Sequence, residues 1–535
     1  MRTQSSNSKF NRLLAALLLL LLFIGLVSAC GRSDTPTPSP IVDQTTETVQ
    51  DIESEVAQIA ADIVDGDLGE VSLVGDSVSD KKVIIFEERH DSRTGQIEIA
   101  IMLVRLYDNY NMRYMALEGA LEKDGPLDTS WYRQLADANT AADVAVQTLR
   151  EGEVSSAEFM ALALADITVQ GIEIADEYNV EVEENAGSAP TLYLYYIASL
   201  SLTNEEAAEA NELFEADKVL EAVEFVISTD EWTQSLYEKL SDSDVSVEDL
   251  IEVMEEIEAK ADEVNAPVDA DTRAGLQNYK HFFEVASQRS DTMVDNTVAL
   301  LNEHPTAPIA MIIGAAHTAR TSDLLDGLGI SHAVIKPKAL ATEEPGELSF
   351  EAYDRKLETF SVDEAGWLGA LLDGRRKPPP VIQQPWFQAK AEVNVVTTRL
   401  ARAIASGAKP PFNEPPYDLQ SEFANYPHVS VNWDSIVIEE PDPKEVVFSL
   451  DVQIDEGKTK RIWARAVQTA EATASPTEMS LEKLLLEALD DVRSESDVVE
   501  GEYNNENPAV VQISHNTLAK YSDSKSGVSK AIREI

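Results

Sequence analysis

Four side chains able to bind a metal ion or move a proton stand just after short apolar runs. Glu88 and His90 follow Val83–Phe86 within KKVIIFEERHDSRT, Lys81–Thr94. Glu118 follows Tyr114–Leu117, and His317 closes the turn Gly314-Ala315-Ala316-His317 after Ile309–Ile313. A fifth group, Arg289, lies in Arg289-Ser290-Asp291-Thr292-Met293. Two imidazoles with one or two carboxylates suit a divalent transition metal that keeps an open position. Such an ion lowers the pKa of bound water and polarises a carbonyl. Without a metal, a histidine flanked by carboxylates can activate water directly. Asp91 is placed to orient His90 from behind. Arg289 is suited to neutralise a carboxylate or hold an anionic transition state. No serine or cysteine nucleophile motif is visible, so acyl-enzyme chemistry has little support. Each group alone has an ordinary reading: Glu118 as a helix cap, His317 as a histidine bonded to a carbonyl, Arg289 as a salt-bridge partner. Their shared place at strand ends favours a site.

That place is set by the elements around it. Val83–Phe86 is short, apolar and β-branched, as a buried strand should be. The segment after it carries Ile97, Ile99, Ile101, Val104 and Leu106 among polar residues and reads as a helix. Tyr114–Leu117, Ile309–Ile313 and Ala333–Ile335 read as further strands, and Val71–Val74 as one more before the first. Open α/β sheets place ligand sites outside the carboxyl ends of their strands. If the strands are neighbours, Glu88, His90, Glu118 and His317 converge there.

Length and composition bound the rest. With 535 residues, two domains plus tails are expected. The formal net charge of −54 argues against nucleic acid as a partner. The single cysteine, Cys30, excludes an intramolecular disulfide and a thiolate metal site. It sits at the end of a leader-like segment. Arg2, Lys9 and Arg12 precede the apolar run Leu13–Val27, and Val27-Ser28-Ala29-Cys30 resembles a bacterial lipobox, with Cys30 as the lipidated residue. An uncleaved anchor over Leu13–Ala29 is the alternative. Either puts the remainder outside the cytoplasm at a membrane surface. Residues 1–29 are thus expected as a lipoprotein signal peptide and 30–70 as a flexible tether, since Gly31–Glu55 is rich in Ser, Thr, Pro and Asp.

Residues 71–345 are expected to form an α/β domain, a mixed central sheet flanked by helices. Residues 120–285 form a large helical insertion within it. Ala141–Arg150, Ser156–Asp166, Glu205–Ser228 and Val247–Val264 carry apolar residues at helical spacing. Leu192–Leu202 is too short to span a membrane and reads as a buried helix. The proline clusters in 375–380 and 409–416 mark a change of grammar. Residues 346–535 are expected to be a small, separate α+β region. Helices are expected at Ala389–Ser406 and Leu481–Val492, with a hairpin over Glu445–Ile454 and Thr459–Gln468. His428 and His515 there are isolated and read as structural.

Taken in order, IIFEERHD, YMALEGA, QRSDTM and IIGAAHT resemble the motifs of the erythromycin-esterase / ChaN / TraB / Tiki superfamily. The resemblance covers about residues 75–340. Its pattern is Gly-Glu-x-His after the first strand, Glu-Gly after the second, an Arg-Asn/Asp-x-x-Met helix and a late Gly-x-x-His turn. Here Glu87 stands in place of the usual glycine, and Ser290 separates Arg289 from Asp291. The resemblance implies a mixed sheet with a variable helical insertion. Its members include metal-dependent peptidases, macrolide esterases and haem-binding surface lipoproteins. It carries over to Glu88, His90, Glu118, Arg289 and His317. The expectation is therefore a lipid-anchored extracytoplasmic hydrolase of a peptide or ester bond, with a divalent metal held by Glu88, His90, Glu118 and His317. A haem-binding lipoprotein without turnover and a non-catalytic interaction protein are the alternatives. The expected partners are a membrane, reached through Cys30, and a small-molecule or peptide ligand.

Overall fold

A computed structural model describes residues 54–77, 79–178, 186–216, 218–241, 246–342, 380–442, 445–454, 457, 459–467, 480–496 and 510–512. The leader, Cys30 and its proposed lipidation, most of the tether, and His515 lie outside the described residues.

The protein is a mixed α/β fold, as its patterning predicts. Six strands form the central sheet: β1 Gly69–Gly75, β2 Lys82–Glu88, β3 Tyr114–Leu121, β4 Thr168–Glu173, β5 Ile309–Gly314 and β6 Ser331–Pro337. Their order is β1-β6-β2-β5-β3-β4. β1 runs antiparallel to β6, and the other neighbours are parallel. Parallel strands are covered on both faces, so they need continuous apolar runs. Ile84, Phe86, Leu117, Ile312 and Ile335 face one core, under the helix α2, Arg93–Tyr110. Val83, Ile85, Ala116, Met311 and Ile313 face the other, which Met293, Val294 and Leu301 complete. Burying one such side chain contributes about 1.5–3 kcal/mol.

The register aligns the strand ends. Glu88 pairs with Gly314, and Leu117 with Ile312. The carboxyl ends of β2, β5 and β3 therefore share one edge, with β4 beside them.

The insertion departs from its all-helical reading. It contains β4, which completes the sheet beside β3. α3, Ala138–Arg150, and α4, Ser156–Ala163, then pack into the α2 core. The cap proper is α5 Ala189–Ser199, α6 Asn204–Glu215, α7 Val219–Ser228, α8 Glu231–Ser241, α9 Val247–Glu263 and the first half of α10, Ala270–Glu303. It has its own core around Tyr193, Leu194, Val223, Met254 and Phe283. The helix expected over Glu205–Ser228 is two helices, because Lys218 leaves helical geometry at φ −98, ψ 64. The apolar run at Leu192–Leu202 lies mostly in α5, buried in the cap. Among the described residues no helix is long and apolar enough to cross a membrane.

α11, Thr318–Gly327, leads from β5 to β6. The C-terminal segment brings α12, Pro385–Ala405, and α13, Leu481–Ser496, with the antiparallel strands Val429–Asp442, Glu445–Ile454 and Thr459–Val467. The expected hairpin is present, although most of its turn lies outside the described residues. Phe387, Val395, Phe448, Leu485 and Leu489 join the same core as Phe86 and Leu103. Lys390 bridges Glu151 and Glu153 at 3.1 and 3.2 Å, and Arg493 reaches Glu98 at 2.7 Å. The two segments divided at 345 thus share one apolar interior. His428 is structural: its N–H donates to Glu392 and its ring meets Gln388.

Candidate active site at the carboxyl ends of the strands

The geometry starts with a bulge. β3 pairs regularly with β4 through Leu117–Gly171, then slips, so that Leu121 is the next residue in register, opposite Glu173. Gly119 sits in this interruption with φ 78. Bulges re-aim side chains. Gly171 makes room for it, since a Cβ there would meet the Ala120 carbonyl carbon at 2.5 Å. Glu118, at the start of the interruption, is fully buried.

Glu118 is the hub of a charged cluster. Its Oε2 accepts the Gly314 N–H at 2.6 Å, and its Oε1 accepts from Arg289 at 3.1 Å. His317 Nε2 lies 3.5 Å from the same Oε1. Arg289 turns its Nε and one Nη to Glu173, at 3.0 and 2.6 Å, and the Gly119 N–H also donates to Glu173 at 3.3 Å. Burial pushes the Glu118 carboxyl up, but His317, Arg289 and His90 outweigh it and hold it below the ordinary range. For Arg289, burial works against the charge, while Glu173 and Glu118 more than restore it. The buried Glu118 carboxylate and the buried Arg289 guanidinium therefore remain ionised. On the far side of His317, Nδ1 meets Ser290 Oγ at 2.9 Å. The serine between Arg289 and Asp291 thus orients the histidine.

Glu88 and His90 form the second half. On an extended turn the two need not meet, yet here His90 Nδ1 lies 3.3 Å from Glu88 Oε1. Glu88 Oε2 accepts from Gln96 Nε2 at 2.8 Å. His90 leans across the end of β5. Its Nε2 is 3.3 Å from where a Cβ on Gly314 would stand, and Glu118 Oε2 is 3.5 Å from the same point. A side chain at 314 would crowd His90 slightly and only touch Glu118. The imidazole therefore spans the two faces of the sheet, with one nitrogen toward Glu88 and the other toward the Glu118 cluster.

All five expected residues, Glu88, His90, Glu118, Arg289 and His317, are thus gathered in one place, each at least nine-tenths buried. Asp91 is not behind His90. It pairs with Arg89 at 2.7 Å, and Glu88 takes the role expected of it. Glu87 stands in regular strand register with Ile313, so β2 needs no glycine turn there. The Arg89–Asp91 pair, flanking His90 in sequence, is about one-third exposed, and Ala315, next to Gly314, is exposed. Glu173 and Gln96 were missed from sequence. Glu173 ends a strand as Glu88 and Glu118 nearly do, which was the available signal.

The residues are of the types that bind a divalent metal. Among the described residues no group of three or more His, Cys, Asp or Glu side chains could hold an ion. The cause is local: Glu118 spends its oxygens on Gly314 and Arg289, Glu173 on Arg289, and His317 its Nδ1 on Ser290. Arg289 supplies the positive charge that an ion would bring. In this arrangement Glu88, His90, Glu118 and His317 stand together as acids and bases, with His90 3.3 Å from Glu88 and His317 3.5 Å from Glu118. Compared with known proteins, the chain matches no family model, no curated protein and no solved structure.

Proposed function

We propose that this protein is a hydrolase that uses His90 to activate water against a carbonyl of a peptide or ester. The observation that carries the reading is the imidazole laid across the end of β5, with Nδ1 on Glu88 and Nε2 beside Gly314 and Glu118. A carboxylate behind one ring nitrogen keeps the proton there and leaves the other as the base. His90 Nε2 takes a proton from water as the oxygen bonds to the carbonyl carbon. The same proton then goes to the leaving nitrogen or oxygen. His317, held by Ser290, is the second imidazole able to hand on a proton. The fixed charge of Arg289 favours the developing oxyanion.

This arrangement supports hydrolysis over a haem carrier. An axial histidine needs a ring nitrogen facing an open plane, whereas the ring nitrogens of His317 face Ser290 and Glu118. The leader pattern supports work at the outer face of a bacterial membrane, with Cys30 as the lipid attachment point.

The test is a screen of purified protein on peptide, lactone and simple ester substrates, beside His90→Ala. A lost general base lowers the rate by ~10²–10⁴-fold. We expect that loss with an unfolding midpoint close to the parent's. Equal hydrolysis by parent and His90→Ala would overturn the assignment.

A further inference from the structure

Behind the Glu88–His90 pair runs a chain of hydrogen bonds that leaves the site and ends in the C-terminal segment. Gln96, on the first turn of α2, is 5% exposed. Its Nε2 donates to Glu88 Oε2 at 2.8 Å, and its Oε1 accepts the N–H of Ser156 at 2.8 Å. Ser156 is the first residue of α4, whose N-terminus is closed by a capping box between Ser155 and Glu158. Glu158 Oε2 accepts from the backbone and hydroxyl of Ser155, at 2.9 and 2.8 Å. Its other oxygen accepts the N–H groups of Val381 and Ile382, at 2.5 and 3.2 Å. All of these groups are buried, apart from half-buried Ser155.

The direction of each bond is fixed by chemistry. A backbone N–H can only donate, so the Ser156 amide obliges Gln96 to present its oxygen there. The Gln96 NH₂ must then face Glu88. Glu88 Oε2 must accept from it, and an ionised carboxylate is acceptor-only. His90 Nδ1, facing the other oxygen of an ionised Glu88, is therefore a nitrogen that carries hydrogen, and Nε2, beside Gly314, is the one that exchanges a proton.

We propose that Gln96 is a positioning residue that selects the Nδ1–H form of His90, and that residues 381–382 clamp it in that role through Glu158 and the N-terminus of α4. This rests on the reading of His90 as the base, and it gives the C-terminal segment a part in the site.

The test needs no substrate. The full-length protein is labelled with ¹⁵N-histidine, and the His90 ring signals among the seven histidines are assigned by their loss in His90→Ala. At a pH where the ring is neutral, the parent is expected to show the proton on Nδ1. Gln96→Met, nearly the same length but without a donor, is expected to move His90 toward a mixture with the Nε2–H form. Gln96→Leu, which also removes the donor, should do the same and serves if the methionine variant folds poorly. Glu158→Gln, with one acceptor oxygen in place of two, is expected to shift the mixture in the same direction by less. A role in packing alone would lower the unfolding midpoint and leave the tautomer where it was. The proposal is overturned if the parent carries the Nε2–H form, if both Gln96 variants leave His90 unchanged, or if Glu158→Gln has no effect on it. A protein that shows the expected ring signals but hydrolyses nothing would count against the hydrolase reading instead.

Discussion

Glu88 and Glu118 are two glutamates at neighbouring strand ends, both buried, in opposite company. Glu118 sits against the Arg289 guanidinium, the Gly314 N–H and, at 3.5 Å, the His317 ring. Glu88 has a neutral amide on one oxygen and the His90 ring near the other. A carboxylate locked against a guanidinium has little freedom to trade protons, so the Glu118 half is a rigid electrostatic floor. A carboxylate beside an amide and an imidazole can respond when the imidazole gains a proton, so the Glu88 half is the working part in the reaction proposed above. The lesson is that burial alone does not mark the reactive carboxylate; the charge of its partners does.

This contrast can be broken from either side. The largest effect is expected on the Glu118 side. Arg289→Met strands two buried acids, and breaking a buried ion pair costs about 3–5 kcal/mol. Urea unfolding should show a loss of that size, and a loss well under 1 kcal/mol would mean that the floor is not built on that cation. The next effect is on pH. The folded-state pKa of Glu118 is depressed, so its contribution to stability is complete above the ordinary glutamate value of about 4.3 and fades as pH falls below it. Unfolding measured from neutral to acid pH should steepen downward there, and Glu118→Gln should flatten that limb. A smaller effect is expected on the working side. Glu88→Gln should cost about 10–100-fold in hydrolysis, the worth of a charge-assisted bond of ~1.5–3 kcal/mol, with little change in unfolding. An unaltered rate would detach Glu88 from the chemistry. The smallest effect is Ser290→Ala, which removes one hydrogen bond to His317 and should lower stability by ~1 kcal/mol. A drop several times larger would make Ser290 part of the floor.

The strands that carry the site were legible because each is a short β-branched run with nothing helical about it. Four of the five expected residues stand where such runs end, and Arg289 lies on a helix face continued by Met293 and Val294. Glu173 was hidden because Thr168–Glu173 is only six residues long, broken by Gly171, and embedded in acid-rich helices. The interrupting glycine is what the bulge of β3 requires, a reason no pattern on one strand can show. Gln96 was hidden for a different reason. In an amphipathic helix its polar face is read as outward, but α2 is buried on several sides, with even Glu98 fully enclosed. The segment after residue 346 lacked any motif, so its place against α2 could not be read from its own residues.

That placement bears on how the molecule is made. Leu484, Leu485, Leu489 and Val492 of α13 lie in the core shared with α2, with Arg105 joined to Glu482 at 2.7 Å. Part of the wall behind Glu88 and His90 is therefore supplied by residues made after every group of the cluster. Until they arrive, the polypeptide holds every reactive group but lacks the backing that would set them.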